Sequence, residues 1–195
     1  MTLSRLSRRA VLLLPLAFAA CGEEEPQTFE PLTWDYLPPI KLNVATVTIE
    51  DHFVPSGTSA DLSRQAPVPP LTALHTMIEQ RLRPFGTTGR AVVAIQDATL
   101  ARSDDTISGS MAIVLTIYGE NGARAGFIEA RVAQRYAGRA SSLRAKLYEM
   151  VKSMMDRMNV EVEFQVRRHL RDWITTGTAA ATAVEQTPLD SPIRR

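Results

Sequence analysis

One cysteine, Cys21, and three histidines, His52, His75 and His169, are the side chains best suited to nucleophilic or metal chemistry. A single thiol excludes an intramolecular disulfide and a cysteine-rich metal site. The histidines are far apart in sequence, with none of the short spacings that bring two imidazoles onto one metal ion. His52 follows Asp51, and the two would make an acid–base pair, but neighbouring residues of a strand point to opposite faces. His75 lies between Leu74 and Met77 and is expected at an edge or on the surface. Asp104-Asp105 most simply makes a turn, although two carboxylates also attract a cation weakly. There is no glycine-rich phosphate loop, His-Glu-x-x-His or Gly-x-Ser-x-Gly. No nucleophile–base pair can be named, so the expectation is a non-enzyme without cofactor or metal.

Cys21 takes its meaning from what precedes it. Residues 1–9 hold three arginines and no acid, and residues 10–20 form an apolar run interrupted only by Pro15. Eleven residues are too few for a membrane-spanning helix, which needs about 20, but they suit the hydrophobic region of a signal peptide. The run ends in Phe18-Ala19-Ala20-Cys21-Gly22. This resembles the bacterial lipobox, with Phe18 where leucine is usual. The resemblance implies cleavage between Ala20 and Cys21, diacylation of the cysteine, and a signal peptide at 1–20. Each buried methylene adds about 0.8 kcal/mol to membrane affinity, so two or three acyl chains anchor a protein essentially permanently. Ser7-Arg8-Arg9-Ala10-Val11-Leu12 also resembles a twin-arginine export signal, which leaves the general secretory route and the twin-arginine route both open. By the same analogy, Gly22 in place of Asp favours the outer membrane over the inner, with the domain facing the periplasm.

The chain of 195 residues is 45% hydrophobic and 22% charged, ordinary for one globular domain. Loss of Arg5, Arg8 and Arg9 with the signal leaves 19 basic against 21 acidic residues, a net charge of −2. A near-neutral chain with mixed signs offers no footprint for nucleic acid.

After the anchor, Glu23-Glu24-Glu25-Pro26 opens a polar, proline-rich stretch, and a flexible tether is expected over 21–39. Trp34 and Tyr36 interrupt it, either docking on the domain or touching the membrane or a partner. The globular domain is expected over 40–174. Residues 40–53 are strand-like, with apolar positions changing phase between Val44 and Val47, as at a bulge or in a strand covered on both faces. A polar loop at 55–65 is long enough to be mobile or to contact a partner. Pro69-Pro70 then opens a helix whose stripe is Leu71, Leu74, Ile78, Leu82 and Phe85, with Pro84 fitting poorly near its end. Strands are expected at 91–101, 110–118 and 123–134. Asn121-Gly122 joins the last two as a hairpin and sets facing residue numbers to sum to 243, so that Leu115 opposes Ile128.

A three-four apolar stripe runs from Leu143 through Met154 and Val162 to Trp173, predicting a helix over 141–174 about 50 Å long. The rival is a strand at Val160, Val162, Phe164 and Val166, which alternate with period two. Met150, Met154, Met155 and Met158 read as helix core rather than a binding groove. Val160 and Phe164 lie off the stripe beside Arg167, Arg168 and Arg171, and these five residues are the candidate partner surface. Residues 175–195 lack pattern and are expected to be a disordered tail.

The order strand, helix, three strands, helix predicts an α/β (α+β) two-layer sandwich: a four-stranded, mostly antiparallel sheet with two helices on one face. Together with the lipobox, this order resembles small envelope lipoproteins, among them the LPS-assembly lipoprotein of the LptE type and auxiliary lipoproteins of ABC-type lipid transporters. The resemblance implies a non-catalytic accessory subunit, anchored in the membrane by lipid and docked on an envelope protein partner. A binding protein for a lipid or other apolar ligand is the alternative.

Overall fold

The computed structural model describes residues 28–174. The signal sequence, Ala20, Cys21 and the tail expected from residue 175 lie outside the described residues. Within them the elements are β1 (Ile40–Leu42), β2 (Thr46–Asp51), α1 (Pro70–Arg81), β3 (Leu82–Pro84), β4 (Arg90–Ser103), β5 (Thr106–Tyr118), β6 (Arg124–Ala137) and α2 (Leu143–His169), closed by a short 3-10 turn at Arg171–Trp173. A four-stranded sheet has the order β2-β4-β5-β6, parallel between β2 and β4 and antiparallel elsewhere. Both helices cover one face, α1 against β4 and α2 against β5 and β6. The expected two-layer α+β architecture is the observed one.

The core lies between these layers. Val93, Ile95, Leu100, Met111, Ile113, Leu115 and Ile128 rise from the sheet to meet Leu74, Met77 and Ile78 of α1 and Met154, Met158, Val162 and Val166 of α2. The helix reading of residues 160–166 therefore holds, because the three-four stripe is the buried one. Gly109 lets α2 come close: a β-carbon there would lie 2.6 Å from Met154 Cε.

Several local expectations need correction. The strand at 40–53 is two strands in two sheets. Its phase change is a turn at residues 43–45, where the Val44 N–H donates to Leu42 O at 2.8 Å. β1 pairs with β3 in a small parallel sheet, and the segment after α2 returns to its other side, with the Asn43 N–H donating to Trp173 O at 2.7 Å. The first helix stops at Arg81 instead of reaching Phe85. Pro84 disfavours helical backbone at Arg83 and would collide with the carbonyl one turn back, so Leu82 turns extended (φ −101°, ψ 108°) and starts β3. Leu82 stays buried, but Phe85 is exposed. Finally, the 55–65 loop is held along its second half. The Leu62 N–H donates to Leu100 O and the Arg102 N–H to Ala60 O, both at 2.8 Å, extending the sheet beside the far end of β4.

The β5–β6 hairpin keeps the expected register, with Leu115 facing Ile128 and Met111 facing Val132. Its loop differs. The turn centres on Glu120-Asn121, closed by the Gly122 N–H to Gly119 O at 3.0 Å, and Gly122 takes the left-handed φ of 75°. That alone shifts Tyr118 onto Arg124; an extra residue, Ala125, then restores the register at Ile117 and Gly126.

Residues 28–39 were expected to be tether, yet they are packed on the helices. Trp34 is 2% exposed, and its backbone N–H donates to Gln80 Oε1. Leu32 is buried nearby, and Phe29 meets the Tyr148 ring at 5.2 Å. The packed unit thus begins well before residue 40.

Candidate functional site

The five residues expected to form a partner surface separate into two groups. Val160 is 71% exposed and Phe164 50% exposed, and Arg168 lies over the Phe164 ring at 5.7 Å. Residues four apart on a helix stack on one flank, so these three make one stripe along α2. Arg167 belongs to another flank: it grips Glu163 Oε1 through Nε at 3.0 Å and Nη2 at 2.8 Å. Arg171 folds back to donate to the Arg167 carbonyl at 3.0 Å, which closes the helix end where cations are favoured.

The exposed stripe adjoins the free edge of the sheet. α2 runs antiparallel to β6, with Arg157 reaching Ala133 O at 3.1 Å and Gln134 Oε1 at 3.0 Å, and Leu170 lying against Gly126. Between them an apolar recess opens among Val132, Ala133, Val160 and the stems of Arg131 and Arg157. Its rim is charged by Asp156 and Glu161. On the outer face of β6, Arg131 and Glu129 pair at 2.9 Å. An apolar strip beside unpaired backbone, bordered by charges of both signs, is chemically fit to hold another polypeptide.

A buried polar cluster on the other side of α2 went unrecognised in the sequence. Arg81, 2% exposed, donates to Asn159 Oδ1 at 3.2 Å, to Glu163 Oε2 at 2.7 Å and to the Pro38 carbonyl. It ties together α1, α2 and the N-terminal segment. Partial burial would raise the Glu163 pKa, but hydrogen bonds from Arg167 and Arg81 outweigh it and hold it below the ordinary 4.5. The signal was present: Arg81 occupies the i+7 position from Leu74 on the apolar stripe of α1, and Asn159 borders that of α2.

Two of the histidines meet carboxylates, one across elements and one along its own stretch of chain. Asp51, on the inward phase of β2, reaches His75 of α1 at 2.7 Å, and Glu50, on the outward phase, reaches His52 at 3.2 Å. Asp51 and His52 do not join each other. Among the described residues no group of three His, Cys, Asp or Glu side chains is placed to hold a metal ion. Asp104-Asp105 forms the two-residue turn between β4 and β5, with Asp104 at φ 53°. Within the 55–65 loop, Asp61 collects the backbone N–H of Ser63 at 2.9 Å and of Gly57 at 3.4 Å, and these outweigh burial to hold its pKa below 3.8.

No protein-family model matches the chain, and no curated protein matches it in sequence. Several solved structures align with parts of it at low similarity. A candidate lipoprotein from Caulobacter crescentus is 10% identical at a TM-score of 0.36, over 63% of this chain and 89% of its own. A minor lipoprotein from Acinetobacter baumannii is 13% identical at a TM-score of 0.32, over 66% of this chain and 96% of its own. A homologue of a neuraminyllactose-binding hemagglutinin from Helicobacter pylori is 10% identical at 0.36, over 74% and 96%. Likeness at this level assigns neither a family nor a ligand. No helix among the described residues is long and apolar enough to cross a membrane.

Proposed function

We propose that this chain is a non-catalytic lipoprotein, anchored through Cys21 in the cell envelope, that serves as an accessory subunit of a transport or assembly machine. The observation that carries the reading is the Val160–Phe164–Arg168 stripe beside the free edge of β6, an apolar surface that no described part of the chain covers. The signal and lipobox would supply the anchor, and Gly22 in place of Asp favours the outer membrane over the inner. An apolar ligand between the layers is the weaker reading, because that space is filled by Met111, Ile113, Leu115, Met154 and Met158.

The test is crosslinking in intact cells, followed by purification of tagged chain and mass spectrometry, run in parallel on a Phe164→Glu variant. One transporter or assembly subunit is expected with the wild type and depleted with the variant. Identical recoveries from both would refute the role of this surface. A co-purifying lipid with no protein partner would move the function to the ligand reading.

A further inference from the structure

The edge strand β6 is unusual in carrying its own complement. It is fourteen residues long and among the described residues pairs only with β5. Because Arg157 bonds the Ala133 carbonyl from outside, that carbonyl points away from β5. The N–H and C=O of one strand residue point the same way and alternate along the chain. Phe127, Glu129 and Arg131 therefore also present their backbone groups at the open edge.

We propose that this edge pairs with the β6 edge of a second copy, antiparallel about a two-fold axis at Ala130, making one continuous sheet of two four-stranded halves. The proposal rests on reading the α2–β6 flank as an interface and names its first occupant. Backbone parity admits only axes at whole residues. An axis at Glu129 sets two carboxylates against each other, and one at Arg131 sets two guanidinium groups together. At Ala130, Glu129 of each copy faces Arg131 of the other, and Phe127 faces Ala133. Opposite charges directly across a ladder stabilise, and like charges oppose it. Ala133 O keeps one lone pair for Arg157 and has a second for the incoming N–H.

The helices fit the same axis. α2 passes from Ala133 beside Arg157 to Gly126 beside Leu170, so Phe164 lies alongside the middle of β6. A two-fold normal to the sheet leaves both α2 helices on one side and brings their Phe164 and Val160 stripes face to face. Thr28–Glu30 also lies in the helical layer, against Tyr148. Both N-terminal anchors thus leave from the same side of the joined sheet, as one bilayer requires.

Sedimentation equilibrium of the full lipidated chain in non-ionic detergent tests this directly. Wild type should be a dimer at micromolar concentration. Glu129→Arg should weaken the dimer about tenfold or more, and Glu129→Arg with Arg131→Glu should restore it to within about threefold. Phe164→Glu should dissociate it into monomers that still unfold in one cooperative transition. A monomeric wild type, or a dimer indifferent to Glu129→Arg, would overturn the proposal. A photo-crosslinker placed at 164 in cells separates the two readings: adducts between copies support pairing. Adducts solely with a different envelope protein would defeat pairing while leaving the accessory role intact.

Discussion

Removing the Arg81 side chain should cost the protein much of its stability, and the partners of its guanidinium set the size of the loss. Arg81→Ala strands the Asn159 amide oxygen and the Pro38 carbonyl without a donor, each at about 1–3 kcal/mol. Glu163 is not stranded, because Arg167 still holds it and its side chain is 37% exposed. Adding the lost packing of a buried stem gives about 3–5 kcal/mol. Glu163→Ala, which leaves a buried guanidinium among neutral acceptors, should cost about 3 kcal/mol. Arg167→Ala removes only an exposed i,i+4 pair and should cost about 0.5 kcal/mol. Urea titrations would read these as midpoint shifts at constant slope, and the Arg81→Ala melting temperature should fall by about 10 °C. The pH dependence follows from the sign of the Glu163 shift. A depressed folded value means that the stabilisation is complete above 4.5 and fades as pH falls through the folded value. In Arg81→Ala that acid-side loss should shrink. A loss under about 1 kcal/mol for Arg81→Ala, or an equal loss for Arg167→Ala, would refute the view that this cluster joins the N-terminal segment to both helices.

Other perturbations test other parts. Trp34→Ala should destabilise by about 3–5 kcal/mol in urea unfolding, whereas Tyr36→Ala, 71% exposed, should stay within about 0.5 kcal/mol. Equal effects would mean that residues 28–39 do not belong to the folded unit. Gly86→Ala puts a β-carbon 2.6 Å from the Asn43 carbonyl carbon and 2.7 Å from Val44 N, backbone that cannot yield without opening the β1–β2 turn. It should cost about 3 kcal/mol by thermal melting, and a neutral result would show that this turn is soft. Cys21→Ser should move the chain from the membrane to the soluble fraction of lysed cells; continued sedimentation with membranes would remove lipid as its anchor.

Periodicity exposed some parts of this fold and concealed others. The β5–β6 register was legible because apolar residues alternate on both strands, and one buried face allows a single alignment. The compensating bulge at Ala125 was invisible, since a turn and a bulge that cancel leave the register unchanged. α2 was legible because its stripe continues through both ends of the competing strand pattern. α1 was misjudged at its end because Leu82 is buried in either conformation, and only Pro84 distinguishes helix from strand there. The small β1–β3 sheet pairs three-residue strands, too short for any period to show. On the flank of α2, being off the stripe located Val160 and Phe164, but helical angle alone could not tell that Arg167 serves Glu163 while Arg168 covers Phe164.

The packed N-terminal segment changes what a lipid anchor would imply. A tether running from Cys21 to Pro39 would let the domain roam some 60 Å from the bilayer at about 3.3–3.6 Å per residue. Phe29 packs against Tyr148, and the seven residues from Cys21 to Gln27 can span at most about 25 Å. Were Cys21 lipidated, that reach would be shorter than α2 itself, about 40 Å long, and would keep the domain close to the membrane. The proposed partner surface would then be confined to a layer near the headgroups, where lateral encounter with a membrane-embedded machine would be effectively two-dimensional. Joining two copies through β6 would double the anchors and restrict tilt further. Lengthening the segment between Cys21 and Thr28 with a flexible insert should therefore weaken the cellular crosslinks made from residue 164 to a membrane-embedded partner, while leaving adducts between copies in place. If both kinds of adduct were indifferent to the insert, proximity to the bilayer would play no part in how this surface is used.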